Sequence, residues 1–312
     1  PYLDEMQHVN IKSEPAAQSA FITNKIDSMA GNPSPDNKPL FDKLLAEGKI
    51  QSLQYTVGGS STGCRPQGIM LNASKPPFDN KKLRQAVNLA IDREGYTQVV
   101  HYGYAEPTLL LDTGGFGHTV AEIMKLPGWR QPHDQDLAEA KRIVAAEYSK
   151  GLDVEMLGRD TTTYMRQAEF FAGELRKVGI NVTVKIMNSA QLFPAAEAGN
   201  YQSFSYYFCQ TTGAPEELIG SYFITGGSRN WFGGYSNPKV DAGYLDMAGT
   251  LDPAERKRKA MALEALILED LPMVATPVST SAWNQWSYVQ DWPVGITFYT
   301  NRKTERVWRS DA

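Results

Sequence analysis

The stretch Lys75–Arg93, KPPFDNKKLRQAVNLAIDR, decides how this chain is read. Pro76 and Pro77 continue neither a strand nor a helix, the Asp79 carboxylate can cap a first turn, and Leu83, Ala86, Val87 and Ala90 recur at helical spacing. The pattern predicts an extended lead-in followed by an amphipathic helix. Asp92 offers a second cap, and Arg93–Gly103 reads as another short helix ending on Gly103, where a left-handed backbone costs little. The result is a buried helical hairpin, which by itself names no function.

Outward from the hairpin, helix and strand patterns alternate. Upstream, Pro1–Lys12 has the mixed alternation of a strand and Ala16–Met29 a helical composition. Residues 30–39 make a loop with their three prolines and one glycine, Phe41–Glu47 a short helix, and Ile50–Val57 a strand. Gly58–Gly63 is a run of Gly, Ser and Thr with wide backbone freedom, suited to a crossover between lobes, and Ile69–Asn72 is a short strand leading into the hairpin. Downstream, Thr108–Gln131 lacks periodicity and reads as a long irregular connection, either a functional surface or a plain solvated loop. Asp136 opens a helix with Glu139 in the capping-box position and Gly151 past its end, and Leu152–Leu157 is the next strand. Met165–Leu175 is helical, Gly179 ends it, and Ile180, Val182, Val184 and Ile186 alternate with polar residues as in a half-buried strand. Leu192–Ala198 and Glu216–Phe223 are short helices with the strand Phe204–Cys209 between them. Asp252, Pro253 and Glu255 open a long helix that Pro272 stops, and Met273–Ser279 is strand-like. This alternation predicts an α/β fold whose sheet is mixed or parallel and covered by helices.

Composition narrows the function classes. The 312 residues, 42% hydrophobic and 21% charged, are those of a globular chain, as one large domain or two of ordinary size. A net charge of −4 leaves no basic surplus to neutralise phosphates, which excludes general nucleic-acid binding. No apolar stretch approaches the roughly 20 residues that span a bilayer. Cys64 and Cys209 are the only cysteines, without a CxxC, and the four histidines are scattered without ligand spacing, so neither zinc nor any other cofactor is expected. The cysteine pair reads as a disulfide if the protein is exported and as two free thiols otherwise.

Three patterns bear on chemistry. Gly59-Ser60-Ser61-Thr62-Gly63 fits GxSxG with Ser61 as nucleophile, but Cys64-Arg65-Pro66-Gln67-Gly68 opposes the helix that such an elbow needs on its far side. Gly114-Gly-Phe-Gly117 and Gly226-Gly227 lack the Lys-Ser/Thr of a phosphate loop. Ten aromatic residues crowd into residues 201–235, against an aromatic content of 11% for the whole chain. Such side chains line ligand clefts as readily as they fill cores, and Trp231 beside Asn230 is the better ligand candidate.

Asn72, Lys75-Pro-Pro-Phe-Asp79, Arg84-Gln-Ala86 and Ala90-Ile-Asp-Arg93 together resemble the signature of the family 5 extracellular solute-binding proteins, the peptide, nickel and opine receptors of ABC importers. Further similar stretches follow in family order, among them Asn24-Lys-Ile-Asp27, Gly128-Trp129, Asn237-Pro238 and Glu269-Asp-Leu-Pro272. The resemblance implies a lobe of the type II periplasmic-binding-protein fold. Its C-terminal ligand-binding lobe would be 64–280, with 1–63 part of the N-terminal lobe and 281–312 a return segment to it. Family members are longer at the N-terminus, so the chain is expected to be a C-terminal portion, with the missing N-terminal portion as one partner. A small-molecule solute and an ABC permease in the membrane are the others, and no nucleic acid is expected. The place implied is periplasmic or extracytoplasmic, with a lipid-anchored full-length form as one version.

By the same resemblance Cys64 and Cys209 are joined, and Tyr206, Phe208, Gln210, Thr211, Asn230 and Trp231 surround the ligand. Peptide receptors of the family carry Trp-Cys-x-Asp in the ligand strand, the Asp pairing with the peptide's α-ammonium. Here the strand reads Phe208-Cys209-Gln210-Thr211 with Pro215 keeping the spacing, so a neutral hydroxyl stands where the acid would be. Ordinary peptides are therefore disfavoured, unless Glu216 or Glu217 replaces the acid, and a neutral or acidic solute is expected. The alternative from another class is an enzyme, above all a carbohydrate hydrolase using two of the many carboxylates and the aromatic segment.

Overall fold

The computed structural model describes residues 2–11, 13–56, 64–210, 213–230, 234–293 and 304–310. Its helices are α1 (Glu14–Ile22), α2 (Lys38–Ala46), α3 (Lys81–Ala90), α4 (Arg93–His101), α5 (Val120–Ile123), α6 (Asp134–Glu147), α7 (Thr162–Arg176), α8 (Ser189–Glu197), α9 (Pro215–Tyr222), α10 (Pro238–Ala248) and α11 (Pro253–Asp270). Its strands are β1 (Ser28–Ala30), β2 (Ile50–Thr56), β3 (Cys64–Leu71), β4 (Ala105–Glu106), β5 (Leu152–Arg159), β6 (Ile180–Met187), β7 (Ser203–Cys209), β8 (Met273–Thr276), β9 (Val278–Trp286), β10 (Val289–Gln290) and β11 (Trp308–Arg309).

Local chemistry sets most element ends, and in places it differs from the sequence expectation. Asn80 rather than Asp79 caps α3, its side chain accepting from the Lys82 N–H at 2.9 Å, because the turn after the two prolines takes up one residue more. Asp92 caps α4 as expected, by accepting from the N–H groups of Glu94 and Gly95. That helix closes on Tyr102, held left-handed at φ 56°, one residue ahead of Gly103. α6 begins at Asp134, so Asp136 caps nothing; its buried carboxylate accepts from the Gly128 N–H at 2.8 Å and pairs with Arg130. Residues 2–11 form no strand, since none of the described strands lies alongside to pair with them.

The larger sheet is mixed, in the order β6-β5-β7-β3-β8, with β5 parallel to β6 and β7 and β3 antiparallel to β7 and β8. Both faces are covered. Ile69 and Leu71 of β3 join one core with residues of α3, α4, α6 and α7, whereas Met70 between them joins a second core with residues of α8 to α11. Met273–Ser279 is not one strand. Pro277, which has no N–H for the ladder, separates β8 from β9, and β9 runs between β1 and β2 in a second sheet. Phe21, Met29, Phe41 and Ile50 form a small core of their own there, with Trp286 packed against it.

The arginines of the opening stretch satisfy main-chain carbonyls across this frame. Arg84 donates to Asp270 O at 2.8 Å, at the end of α11, and to Phe78 O at 2.7 Å. Arg93, 3% exposed, donates to Ala275 O on β8, to Asn88 O, to Ile91 O and to Gly128 O, and its guanidinium lies 4.5 Å from the centre of the Trp129 ring. Asn72 likewise donates to Gly199 O and Tyr201 O. The 108–131 connection is pinned at its start, the Glu264 carboxylate accepting from the N–H groups of Leu110 and Leu111 and from His118, while much of 114–127 is exposed. Replacing Arg93 by Leu strips several buried carbonyls of their donor at once. We expect it to cost about 3 kcal/mol or more in urea denaturation, while Arg142→Gln, at an exposed ion pair, leaves the midpoint unmoved.

Candidate functional site

A cavity of about 350 Å³ lies where the second sheet meets the first, a size suited to a small solute. One wall carries Glu14 and Gln18 of α1, Ala30–Asn32 at the end of β1, and Ser279–Ser281 of β9. The other carries Gln67 of β3, His101 and Tyr102 at the end of α4, Thr163 and Arg166 of α7, and Tyr207 of β7. A larger cavity, about 560 Å³, lies under residues 3–9 beside Lys25–Ala30 and Trp283, but its described walls come from α1, the segment before β1, the second sheet and the chain ends, with nothing from the first sheet. An apolar hollow of about 530 Å³ around Leu89, Trp129 and Leu268 lies among α3, α6 and α11 on the larger body alone. Only the first of these three is built by both sheets.

Buried amides fix the first wall. Gln18 accepts at Oε1 from the Ser34 N–H and from Asn37 Nδ2, and donates from Nε2 to Asn32 O at 3.2 Å. Asn284 donates to Gly31 O at 2.7 Å, so the turn after β1 is tied to β9. On the other wall, His101 is buried with Nε2 3.2 Å from Gln67 Oε1, which makes Nε2 the protonated nitrogen. Burial, helped by the charge of Arg166, pushes the His101 imidazole down to about 4, so it is neutral near pH 7. Arg166 lies over the Tyr102 ring at 4.3 Å and donates to the Tyr102 hydroxyl, while its Nη2 stands 3.6 Å from Glu14 Oε2 across the cavity. Tyr207 stacks on Tyr164 at 4.3 Å.

The residues singled out in the sequence fall elsewhere. Phe208 is fully buried and stacks on Tyr222 at 3.9 Å, within the core under α9. Tyr206, partly buried, packs against that same core and meets Phe193 edge-on at 5.7 Å. Gln210 is buried and donates to Arg65 O at 3.0 Å. Asn230 clamps its own loop by donating to Ile224 O and Tyr235 O. None of the four lines the cavity between the sheets. Thr211, Trp231 and the Gly58–Gly63 run with Ser61 lie outside the described residues. Glu216, considered as a replacement acid, is engaged by Arg256. Gln67, His101, Arg166 and Tyr207 were not singled out. Alternation along β7 was the available signal for Tyr207, because the residue between two core-facing aromatics must face the other way.

Cys209 is disulfide-bonded and stands in cross-strand register with Cys64, the only other cysteine of the chain. We expect no free thiol in the unreduced, unfolded protein, and a loss of about 2–4 kcal/mol on reduction, read from urea midpoints. His101 gives the second expectation. The unfolded chain takes up a proton near the ordinary histidine value and the folded one only near 4, so stability holds above about pH 6.5 and falls as the pH drops toward 4. Comparing urea unfolding at pH 7 and pH 4, His101→Gln should reduce that acid-side loss by roughly 3 kcal/mol.

Over residues 1–230 the chain matches the model of the bacterial extracellular solute-binding proteins, family 5 Middle. It is 28% identical over 218 residues to the glutathione-binding protein GsiB of Escherichia coli (strain K12), covering 66% of this chain and 41% of that protein. In fold it is similar to the ABC transporter-associated periplasmic binding protein DppA of Helicobacter pylori, solved with the peptide STSA, with a TM-score of 0.75 and 18% identity over 96% of this chain and 56% of that one. The binding protein AgaA from A. tumefacien R10, solved with agropinic acid, gives a TM-score of 0.72 and 20% identity over 90% of this chain and 55% of that one. The chain thus spans about two-fifths of the length of its curated relative and just over half of the solved chains.

Proposed function

The chain belongs to the bacterial extracellular solute-binding proteins of family 5, and on that premise we propose that it is part of the substrate-binding component of an ABC importer. In this role it captures a small solute between two lobes and presents it to the permease. The observation that carries the reading is the cavity walled by both sheets, because a solute held there touches both parts at once and couples binding to their approach. The change of sheet at Pro277 and the separate core around Phe21 and Phe41 support a division with 64–280 as one lobe and 1–63 and 281–312 as part of the other. Binding and release suffice for this task and no catalysis is required of it; the relatives named above give the carbohydrate-hydrolase alternative no support. The place of action is outside the cytoplasm, and no helix of the described residues is long and apolar enough to cross a membrane.

Thr211 sets the expected selectivity. With a hydroxyl in the position of the family's aspartate, an incoming α-ammonium lacks its charge-assisted partner, and Glu216 is already held by Arg256. Ordinary peptides are expected to bind weakly.

The full-length protein, titrated calorimetrically with glutathione, agropinic acid and the peptide STSA and followed by mass spectrometry, tests both points. We expect one solute to bind one-to-one, raise the melting temperature and be recovered chemically unchanged. Conversion of the solute, or no binding from the panel together with no co-purifying solute, counts against the receptor reading. Tight binding of STSA that is lost on N-acetylation counts against the role given to Thr211.

A further inference from the structure

Arg166 is a cation with too few partners. A guanidinium offers five N–H donors in a fork that matches a carboxylate, yet among the described residues Arg166 makes one hydrogen bond, to the Tyr102 hydroxyl. Its Nε is buried and has no hydrogen-bond partner among the described residues. The Glu14 carboxylate lies 3.6 Å from Nη2, which is an ion pair by distance but too long for a good hydrogen bond. The two belong to different bodies, Glu14 to the helix beside the second sheet and Arg166 to the helix covering the first.

We propose that Arg166 anchors an anionic group of the solute, a carboxylate, and that Glu14 occupies its place until the solute arrives. This rests on reading the cavity as the solute site. Among the described lining residues Arg166 and Glu14 are the only ones charged at neutral pH, His101 being neutral there. Once Glu14 leaves, the cavity presents a single positive charge ringed by neutral polar groups, including Gln67, Tyr104, Thr163 and Thr280. An anion of matching shape is favoured in such a setting, and a cationic group is repelled in partly desolvated space.

Glu14 is suited to release. It sits in the first turn of α1, where the helix N-terminus stabilises a carboxylate, and its side chain keeps 26% of its exposure, so no stranded charge is left behind. Tyr102 prepares the other side. It is held at φ 56°, a conformation unfavourable for a bulky side chain, and that conformation places its ring and hydroxyl on the guanidinium. One hydrogen bond and one ring contact thereby hold the Arg166 guanidinium where it lines the cavity.

The test uses the full-length protein, with glutathione and agropinic acid as probes, each beside its methyl ester, and with the solute that the wild-type protein releases on denaturation identified by mass spectrometry. For the acid that binds, we expect Arg166→Gln to weaken binding at least thirtyfold and Arg166→Lys, which keeps the charge and loses the fork, about tenfold. Esterification should weaken wild-type binding as much as Arg166→Gln does, and Glu14→Gln should tighten binding threefold or more. Binding by Arg166→Gln within threefold of wild type overturns the inference and leaves the receptor reading standing, and so does a released solute with no anionic group. Loss of affinity in Glu14→Gln overturns the exchange. If Arg166→Gln fails to fold, Arg166→Lys decides, since unchanged affinity there refutes the fork. A wild-type protein that binds neither probe and releases no solute refutes the receptor reading, and the inference falls with it.

Discussion

A fully buried guanidinium is the constraint on which the frame depends. A cation taken out of water is tolerated only where its donors are matched, so the main chain at Asn88, Ile91, Gly128 and Ala275 must arrive around Arg93 in one arrangement. Asp136 tightens the requirement by accepting from the Gly128 N–H, so that this residue is held through both its N–H and its carbonyl. Gly128 has φ 85°, and a Cβ there would stand 2.7 Å from Arg93 Nη1, which is why a glycine fits and an alanine does not. The hub also reaches the cavity. Arg93 opens α4 and His101 and Tyr102 close it, a span of roughly 13 Å for nine residues, so fixing one end of this helix sets the position of the groups at the other.

Much of this frame was legible in the sequence because it depends on short-range patterns. The two helices after Pro77, the strand Ile180–Met187 and the long helix after Asp252 follow from apolar spacing and caps, and the structure contains them, although the first two helices pack on α6 and α7 rather than as a hairpin on each other. The misreadings share one cause. An aspartate three residues before a glutamate resembles a capping box, but Asp136 is drawn into a tertiary contact with Gly128 and Arg130, and α6 starts two residues earlier. Asp79 and Asn80 are both competent caps, and the length of the turn after the prolines decides between them. Pro277 was visible too, yet a proline inside a strand pattern does not tell the reader that the next strand joins another sheet.

The cavity was much less legible, for a geometric reason. Aromatic density drew the eye to Tyr206 and Phe208, but the period of two along β7 sends both toward the core beneath α8 and α9 and leaves Tyr207 for the cavity. Density reports that a segment is rich in rings; only the register of β3 against β7 says which face each ring takes. Arg166 offered even less, since a basic residue on an amphipathic helix is ordinarily a solvated one. Its partners Tyr102 and Glu14 lie far away along the chain, and no local pattern joins the three.

These two kinds of residue divide the work. Asn72, Lys75, Arg84 and Arg93, which make the chain recognisable, all donate to main-chain carbonyls, and a carbonyl is present whatever side chain evolution places around it. Contacts of that kind preserve a frame without specifying a ligand. Glu14, Gln67, His101, Arg166, Tyr207 and Thr280 come from separate elements and meet only at the cavity, through side chains that can be exchanged one at a time without disturbing the carbonyl network. A frame built this way can keep its signature while its solute changes, so the motif identifies the family and the scattered cavity residues determine what is bound.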